Sequence, residues 1–103
     1  SIPIDLNLSP TAPPPVLYHG TAKEYVPNIM REGLLKRHRH HVHLHEDGNT
    51  AAAVGRRHGP LVLLTINASA MYDCGFRFYV TANHVWLTET VPPEFINPPS
   101  SEL

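Results

Sequence analysis

A run of basic and imidazole side chains between Lys36 and His45 (KRHRHHVHLH) is the part of the sequence best equipped for chemistry. His41 and His43 alternate with apolar residues and precede His45, so a β-strand would turn the three imidazoles to one face. Imidazoles grouped in this way can bind zinc, whereas the lysine and two arginines at the start of the run suit phosphate. A third possibility is a nucleotide pocket into which one imidazole points. The residues alone leave these three alternatives open, beside that of a solvated basic turn.

A second basic cluster, Arg56, Arg57 and His58, comes directly before Gly59. Cations stabilise the C-terminal end of a helix, and that role alone would account for one arginine. Two adjacent arginines point in different directions, so we expect at most one of them to enter a pocket.

The tetrapeptide Tyr18-His19-Gly20-Thr21 offers a third candidate site. A glycine after the histidine lets a flat ligand approach the backbone closely, although a histidine bonded within the protein is the alternative. The nine carboxylates are scattered and form no obvious acid–base pair. Cys74 has no activating motif around it, so we expect a partly buried thiol.

The elements that must position these residues follow from hydrophobic patterning. Residues 16–18 predict a strand that enters a loop at His19-Gly20-Thr21, and Gly33 is well placed to end a helix that carries Pro27 in its first turn. Asp47 or Asn49 can cap a second helix over residues 50–57. Further strands are expected at 41–45, 61–66, 76–80 and 85–87, with a single turn at 68–71. The order predicts an α+β fold with a mixed or mainly antiparallel sheet.

Composition excludes several classes of protein. A chain of 103 residues with a net charge of −1 makes one domain and lacks the bulk positive charge that would hold nucleic acid by itself. One cysteine excludes an internal disulfide. Neither a membrane span nor a signal peptide is recognisable, so we expect a cytoplasmic protein without a membrane partner.

Taken together, the segments resemble the KptA/Tpt family of RNA 2′-phosphotransferases, ordered along nearly the whole chain. The matching segments are L-Y-H-G-T (17–21), I-x-x-x-G-L (29–34), R-x-H-V-H-L (39–44), A-x-x-V-G-x-R-H-G (51–59), F-Y (78–79), N-x-V-W-L-T (83–88) and V-P-P-E-F-I (91–96). Two positions depart from the family's usual pattern: His45 stands where Ser is common, and His84 where Gly is common.

The resemblance implies an ADP-ribosyltransferase-like fold, a mixed but mainly antiparallel split sheet with two short helices. It implies that residues 1–15 are an extended lead-in from a missing N-terminal RNA-binding lobe, that 16–96 form the NAD-binding lobe, and that 97–103 are a tail. Ser1-Ile2-Pro3 resembles the start of the family's second lobe. We expect a monomer.

By the same resemblance, NAD is the co-substrate and the family's His, His and apolar signature falls on three strands. His43 and Arg57 are the implied catalytic residues, with Arg57 placed on the transferred phosphate. The implied residues for binding NAD are His19, Gly20, Thr21, His43, Val85 and, more weakly, Arg39. No metal site is implied.

The implied reaction moves an internal 2′-phosphate of spliced tRNA to NAD. Its products are RNA with a free 2′-hydroxyl, ADP-ribose 1″,2″-cyclic phosphate and nicotinamide. Many ADP-ribosyltransferases carry a Glu where Val85 falls, but a 2′-phosphate is already anionic and needs charge neutralisation more than a base. An ADP-ribosyltransferase with another acceptor, an inactive NAD-binding module and a histidine-rich metal-binding module remain alternatives.

Overall fold

A computed structural model describes residues 9–37, 40–55 and 61–97 of the chain. Within these ranges there are eight short strands, three short α-helices and two 3₁₀ turns, Lys23–Tyr25 and Pro93–Phe95. The strands and helices in chain order are β1 Val16–Ala22, α1 Val26–Glu32, β2 Leu34–Leu35, β3 Val42–His45, α2 Gly48–Gly55, β4 Leu61–Asn67, α3 Ala68–Asp73, β5 Phe78–Val80, β6 Val85–Thr88, β7 Thr90–Val91 and β8 Ile96–Asn97.

Six strands form one sheet in the order β5-β6-β3-β1-β4-β8, and β2 and β7 form a separate pair. Every pairing among the described strands is antiparallel. The predicted α+β class with a mainly antiparallel sheet is therefore confirmed, and no parallel pair occurs within the part of the chain that the structure describes.

The core is built from the six-stranded sheet together with the short helix α3 and the β2–β7 pair. The continuous apolar run that predicts a buried strand forms β4, where Leu64 and Ile66 are fully buried beside Leu17 of β1. Met71 of α3 and Phe78 of β5 are also fully buried. Burial of each such side chain contributes about 1.5–3 kcal/mol, which makes this cluster the main source of stability.

Two helix signals in the sequence operate as predicted. Pro27 lies in the first turn of α1, and Gly33 ends that helix with φ 86°, its N–H donating to the Ile29 carbonyl over 2.7 Å. Asp47 caps α2 by accepting the Thr50 backbone N–H over 2.7 Å. The end of α1 at Gly33 is followed directly by β2 at Leu34, and the cap at Asp47 comes two residues after β3 ends at His45.

Three local predictions are wrong. Strand β1 does not stop at Tyr18 but runs on to Ala22, because β4 pairs with it along its whole length and holds Gly20 in the strand. Residues 68–71 do not form a single turn but belong to α3, a third helix capped by the Asn67 side chain, which accepts the Ala70 N–H over 3.2 Å. Cys74 is exposed rather than partly buried.

Residues 9–15 are attached to the domain by backbone hydrogen bonds. Thr11 donates to the Phe78 carbonyl over 2.7 Å, and Ser69 donates to the Pro15 carbonyl over 3.0 Å. At the other end, β8 pairs Asn97 with Thr65 of β4. Residues 1–8 of the expected lead-in and 98–103 of the expected tail lie outside the described residues. Among the described helices, none has the length and apolar character needed to cross a bilayer.

Candidate functional site

A cavity of about 720 Å³ is lined by side chains from β1, the first 3₁₀ turn, α1, β2, β3 and β6. Its volume falls in the range of about 300–1,000 Å³ typical of small-molecule sites. The lining residues are His19, Gly20, Thr21, Tyr25, Asn28, Ile29, Gly33, Leu34, Leu35, Lys36, Arg37, His41, Val42, His43, His45 and Val85.

A separation of two central strands makes room for His19. Strand β1 pairs with β4 at all seven of its positions but with β3 only at Tyr18–His45. Beyond that pair the His19 imidazole forms a hydrogen bond across to β3, with its Nδ1 3.3 Å from the His43 carbonyl oxygen. A carbonyl only accepts, so Nδ1 carries the proton and the lone pair of the neutral ring is on Nε2.

Strand β3 presents alternate histidines to the cavity, as its period of two predicts. His41, His43 and His45 all line it, and the His41 ring lies 5.6 Å from that of Tyr79, tilted by 58°. His45 is the buried member of the three. Burial lowers its pKa below the ordinary value, against the smaller opposing effect of the Asp47 carboxylate.

Val85 of β6 lies opposite His45 in register and closes this side of the cavity. The predicted turn before it is confirmed, and the Thr81 hydroxyl accepts the Val85 N–H over 3.1 Å. His84 in that turn has φ 64°, a left-handed conformation that suits glycine better. Its Nδ1 is 3.5 Å from Glu46 Oε2, the same oxygen that accepts the Trp86 indole N–H over 2.7 Å.

The opposite side of the cavity is more apolar and has a basic rim. Tyr25 and Leu35 line it although nearly half of each surface is exposed. Lys36 at the rim forms an ion pair with Glu89, which lowers the pKa of that carboxyl. Arg37 also lines the rim, in a left-handed conformation with φ 50°.

The structure brings together the five described residues that the resemblance implied for NAD, from three different strands. Arg39 and Arg57, the two implied arginines, lie outside the described residues, as do Arg56 and His58. The five at the cavity are His19, Gly20, Thr21, His43 and Val85.

Sequence reasoning missed the contribution of the segment between β1 and β3. Tyr25, Asn28 and Ile29 come from the 3₁₀ turn and α1, and Leu34 and Leu35 from β2. The signal that marks Leu35 and Tyr25 is their exposure as large apolar side chains, which only the folded structure reveals.

The chemistry of the lining is that of a binding site rich in imidazole. Within residues 9–37, 40–55 and 61–97, the cavity has no carboxylate, thiol or serine among its lining residues. In the same ranges no three histidine, cysteine or acidic side chains converge on a point where they would hold a metal ion. The described residues can therefore bind and orient a ligand, and Lys36 and Arg37 can balance negative charge.

Comparison with known proteins gives a consistent result. The family model described as RNA 2′-phosphotransferase, Tpt1/KptA family, matches residues 2–90. A protein of Trichormus variabilis named probable RNA 2′-phosphotransferase is 50% identical over 97 residues, which cover 94% of this chain and 53% of that protein. A protein of the same name from Flavobacterium johnsoniae is 49% identical over 96 residues, covering 93% and 53%. The chain thus spans about half the length of the curated relatives it matches.

Proposed function

The chain belongs to the Tpt1/KptA family of RNA 2′-phosphotransferases, and we propose that it is the NAD-binding catalytic lobe of such an enzyme. The proposed reaction transfers an internal RNA 2′-phosphate, such as that of a tRNA splice junction, to NAD. RNA with a 2′-hydroxyl, ADP-ribose 1″,2″-cyclic phosphate and nicotinamide are released. The proposal assigns to this chain the activity for which its relatives are named, and the chain matches about half the length of each relative.

One observation carries the proposal: residues from β1, β3 and β6 that the family pattern assigns to NAD line a single cavity. The residues present also fit a dinucleotide. Imidazole nitrogens suit ribose hydroxyls and the carboxamide, and the apolar side at Tyr25 and Ile29 suits a flat base. Gly20, without a side chain, allows close approach to β1.

His19 and His43 are proposed to position the nicotinamide riboside. The hydrogen bond from His19 Nδ1 to the His43 carbonyl fixes the tautomer, so Nε2 has the character of an acceptor for a ribose hydroxyl. His43 projects from the adjacent strand toward the same cavity and is proposed to orient the reacting ribose. The apolar Val85 side chain, opposite His45, excludes water from this part of the cavity. Valine cannot act as a base, so the attacking group must itself carry negative charge.

Arginines are proposed to neutralise the phosphate groups. A guanidinium forms two parallel hydrogen bonds to phosphate and keeps its charge at any physiological pH. We assign Arg57 to the transferred 2′-phosphate and Arg39 to a phosphate of NAD or RNA. Arg39 follows the rim residues Lys36 and Arg37 in the sequence, and Arg57 follows α2, whose first turn is capped beside His45.

The proposed fold is that of an ADP-ribosyltransferase-like lobe spanning residues 16–96. The separation of β1 from β3 beyond the Tyr18–His45 pair supports a split sheet with the ligand in the gap. An RNA-binding lobe is the proposed partner of this chain, which would otherwise be monomeric. In its absence we expect NAD binding to be weak and turnover slow.

Calorimetric titration of the chain with NAD tests the proposal. Trp86, the single tryptophan, is next to Val85 and gives a second, fluorescent readout. We expect saturable binding that is lost in His19→Ala and retained in His40→Ala, a matched change of an exposed histidine outside the cavity lining. Absence of binding at millimolar NAD to the folded chain would refute the proposed site.

Transfer is tested separately with an RNA that carries one internal 2′-phosphate. Supplied with NAD, the chain should release ADP-ribose cyclic phosphate, and Arg57→Ala should abolish release while keeping NAD affinity. Release of free ADP-ribose, or its attachment to an acceptor without a 2′-phosphate, would instead indicate a different ADP-ribosyltransferase. Stoichiometric zinc in tag-free protein without NAD binding would favour the metal-binding module.

A further inference from the structure

His45 occupies the most enclosed part of the imidazole side of the cavity. It is buried, lines the cavity, and lies at the one position where β3 still pairs with β1. Its register partners are Tyr18 on β1, which directly precedes His19, and Val85 on β6. Tyr18 and His19 point to opposite faces of β1, so His19 shares a cavity with His45 only because β1 and β3 separate beyond their single pair. The cavity that His19 lines is also lined by His45 and Val85, which puts these two in reach of a ring attached to a ribose held by His19.

The charges around His45 are few and can be named. Asp47 is the carboxylate whose charge acts on His45, where it raises the pKa of the imidazole. Hydrogen bonds from Thr50 hold the pKa of Asp47 itself low. Glu46 is engaged with Trp86 and His84. On the packed elements, α2 and β6 have no ionisable side chain, and β1 offers only Tyr18 and His19.

The remaining ionisable groups on this side belong to β3 and the cavity rim. His43 lies on the same face of β3 as His45, and His41, Lys36 and Arg37 are all less buried than His45. No described carboxylate lines the cavity to offset a positive charge placed at its floor.

We propose that His45 is a specificity-determining residue whose imidazole forms the floor beneath the nicotinamide ring and sets the affinity for a ligand with a positively charged ring. The inference rests on the NAD site proposed above. An uncharged imidazole gives the cationic ring a polarisable, buried surface, whereas an imidazolium in the same place repels it. Two unit charges about 4 Å apart repel by roughly 1 kcal/mol even in bulk water, a factor of about 5 in affinity, and by more in a protein.

Burial keeps His45 uncharged at neutral pH, since it lowers the pKa of this imidazole. Acidification below that pKa places a charge under the ring. The affinity for NAD should therefore fall relative to that for ADP-ribose, which has the same adenosine and phosphates but no pyridinium ring. The ratio of the two dissociation constants cancels the pH effects of groups that act on both ligands alike.

The experiment measures the dissociation constants of NAD and ADP-ribose by calorimetry between pH 7.5 and 5.0, with circular dichroism to verify folding at each pH. In the unmodified chain the ratio of NAD to ADP-ribose constants should rise on acidification, approaching about fivefold as the His45 imidazole becomes charged. His45→Ser and His45→Gln should give a ratio that does not change with pH. His84→Asn, which removes an exposed histidine from the neighbouring turn, should behave as the unmodified chain does.

A flat ratio in the unmodified chain would overturn the inference while leaving the NAD site intact. An equal rise in the unmodified chain, His45→Ser and His45→Gln would also overturn it and assign the effect to another histidine. Failure of the folded chain to bind either ligand at any pH would instead refute the proposed function, and this inference with it.

Discussion

Replacing Gly33 by alanine adds a single methyl group and should lower the free energy of unfolding strongly. Its φ of 86° and ψ of −178° belong to a region that is almost exclusive to glycine. A Cβ built there would lie 2.3 Å from the Val91 carbonyl oxygen and 3.2 Å from Pro92 Cα. Both neighbours are backbone atoms of the β7 side of the small β2–β7 sheet, so no side chain can turn away.

The expected cost of Gly33→Ala has two parts. Backbone strain contributes about 1–3 kcal/mol, and displacement of the backbone by the overlap adds about 1–3 kcal/mol more. The sum, roughly 2–6 kcal/mol, is a large fraction of the 5–15 kcal/mol that stabilises an ordinary domain. At about 4–8 °C per kcal/mol, we expect the Tm to fall by at least about 8 °C.

Gly75→Ala is the matched control. Gly75 also has a positive φ, 100°, but a Cβ built there meets nothing within 4 Å. Urea denaturation followed by Trp86 fluorescence should therefore show a smaller loss for Gly75→Ala, about 1–2 kcal/mol. A loss for Gly33→Ala no greater than that for Gly75→Ala would refute the steric part of the reasoning.

Three further predictions concern the neighbourhood of the cavity. Asp47→Ala removes the acceptor of the Thr50 N–H and should cost about 0.5–2 kcal/mol in urea denaturation, whereas Asp47→Asn should recover most of it; equal losses would contradict the capping role. His84→Gly relieves a left-handed backbone and should raise the free energy of unfolding by about 0.5–1 kcal/mol, despite losing the Glu46 contact; a lower midpoint would show that the contact outweighs the strain. Because the pKa of His45 is lowered on folding, the unfolded chain binds its proton first, so stability should fall as the pH drops below about 6.5. His45→Ser should show a shallower fall, and parallel curves would contradict this assignment.

The predictions that succeeded depend on residues whose local conformational demands decide the outcome. Gly33 ends α1 because the left-handed region is open to it, and Asp47 caps α2 because its carboxylate reaches the first free N–H groups. The alternation in 41–45 assigns His43 and His45 to one face, and the structure places both at the cavity. These signals act within a few residues, which is why the sequence alone reveals them.

The predictions that failed depend on partners distant in sequence. Strand β1 continues through Gly20 to Ala22 because β4 is there to pair with it, and nothing within residues 16–22 indicates this. The pairing of β2 with β7 involves two residues on each side and has no period to detect. Tyr25 reaches the cavity for the same reason, through packing of the segment that links β1 to β2.

The sequence pattern predicts which residues lie at the cavity better than it predicts the contacts they make there. Family resemblance selected His19 and His43, and the fold brings both to one cavity, but hydrogen bonding through the His43 carbonyl follows from the separation of two strands. The left-handed conformation of His84 is one that glycine adopts more readily than histidine does.

The register of the central strand pair sets the order in which this chain can fold. β1 pairs with β4 from Ala22–Leu61 to Val16–Asn67, so the centre of the sheet joins residues about 40–50 positions apart. Closing loops of that length costs entropy before any contact repays it, and folds built on such pairings form slowly. During synthesis the apolar face of β1 would therefore wait, exposed, until β4 has left the ribosome. A nascent chain whose emerged part ends before residue 61 should bind chaperones and resist compaction, and one whose emerged part extends past residue 67 should become protected from proteolysis.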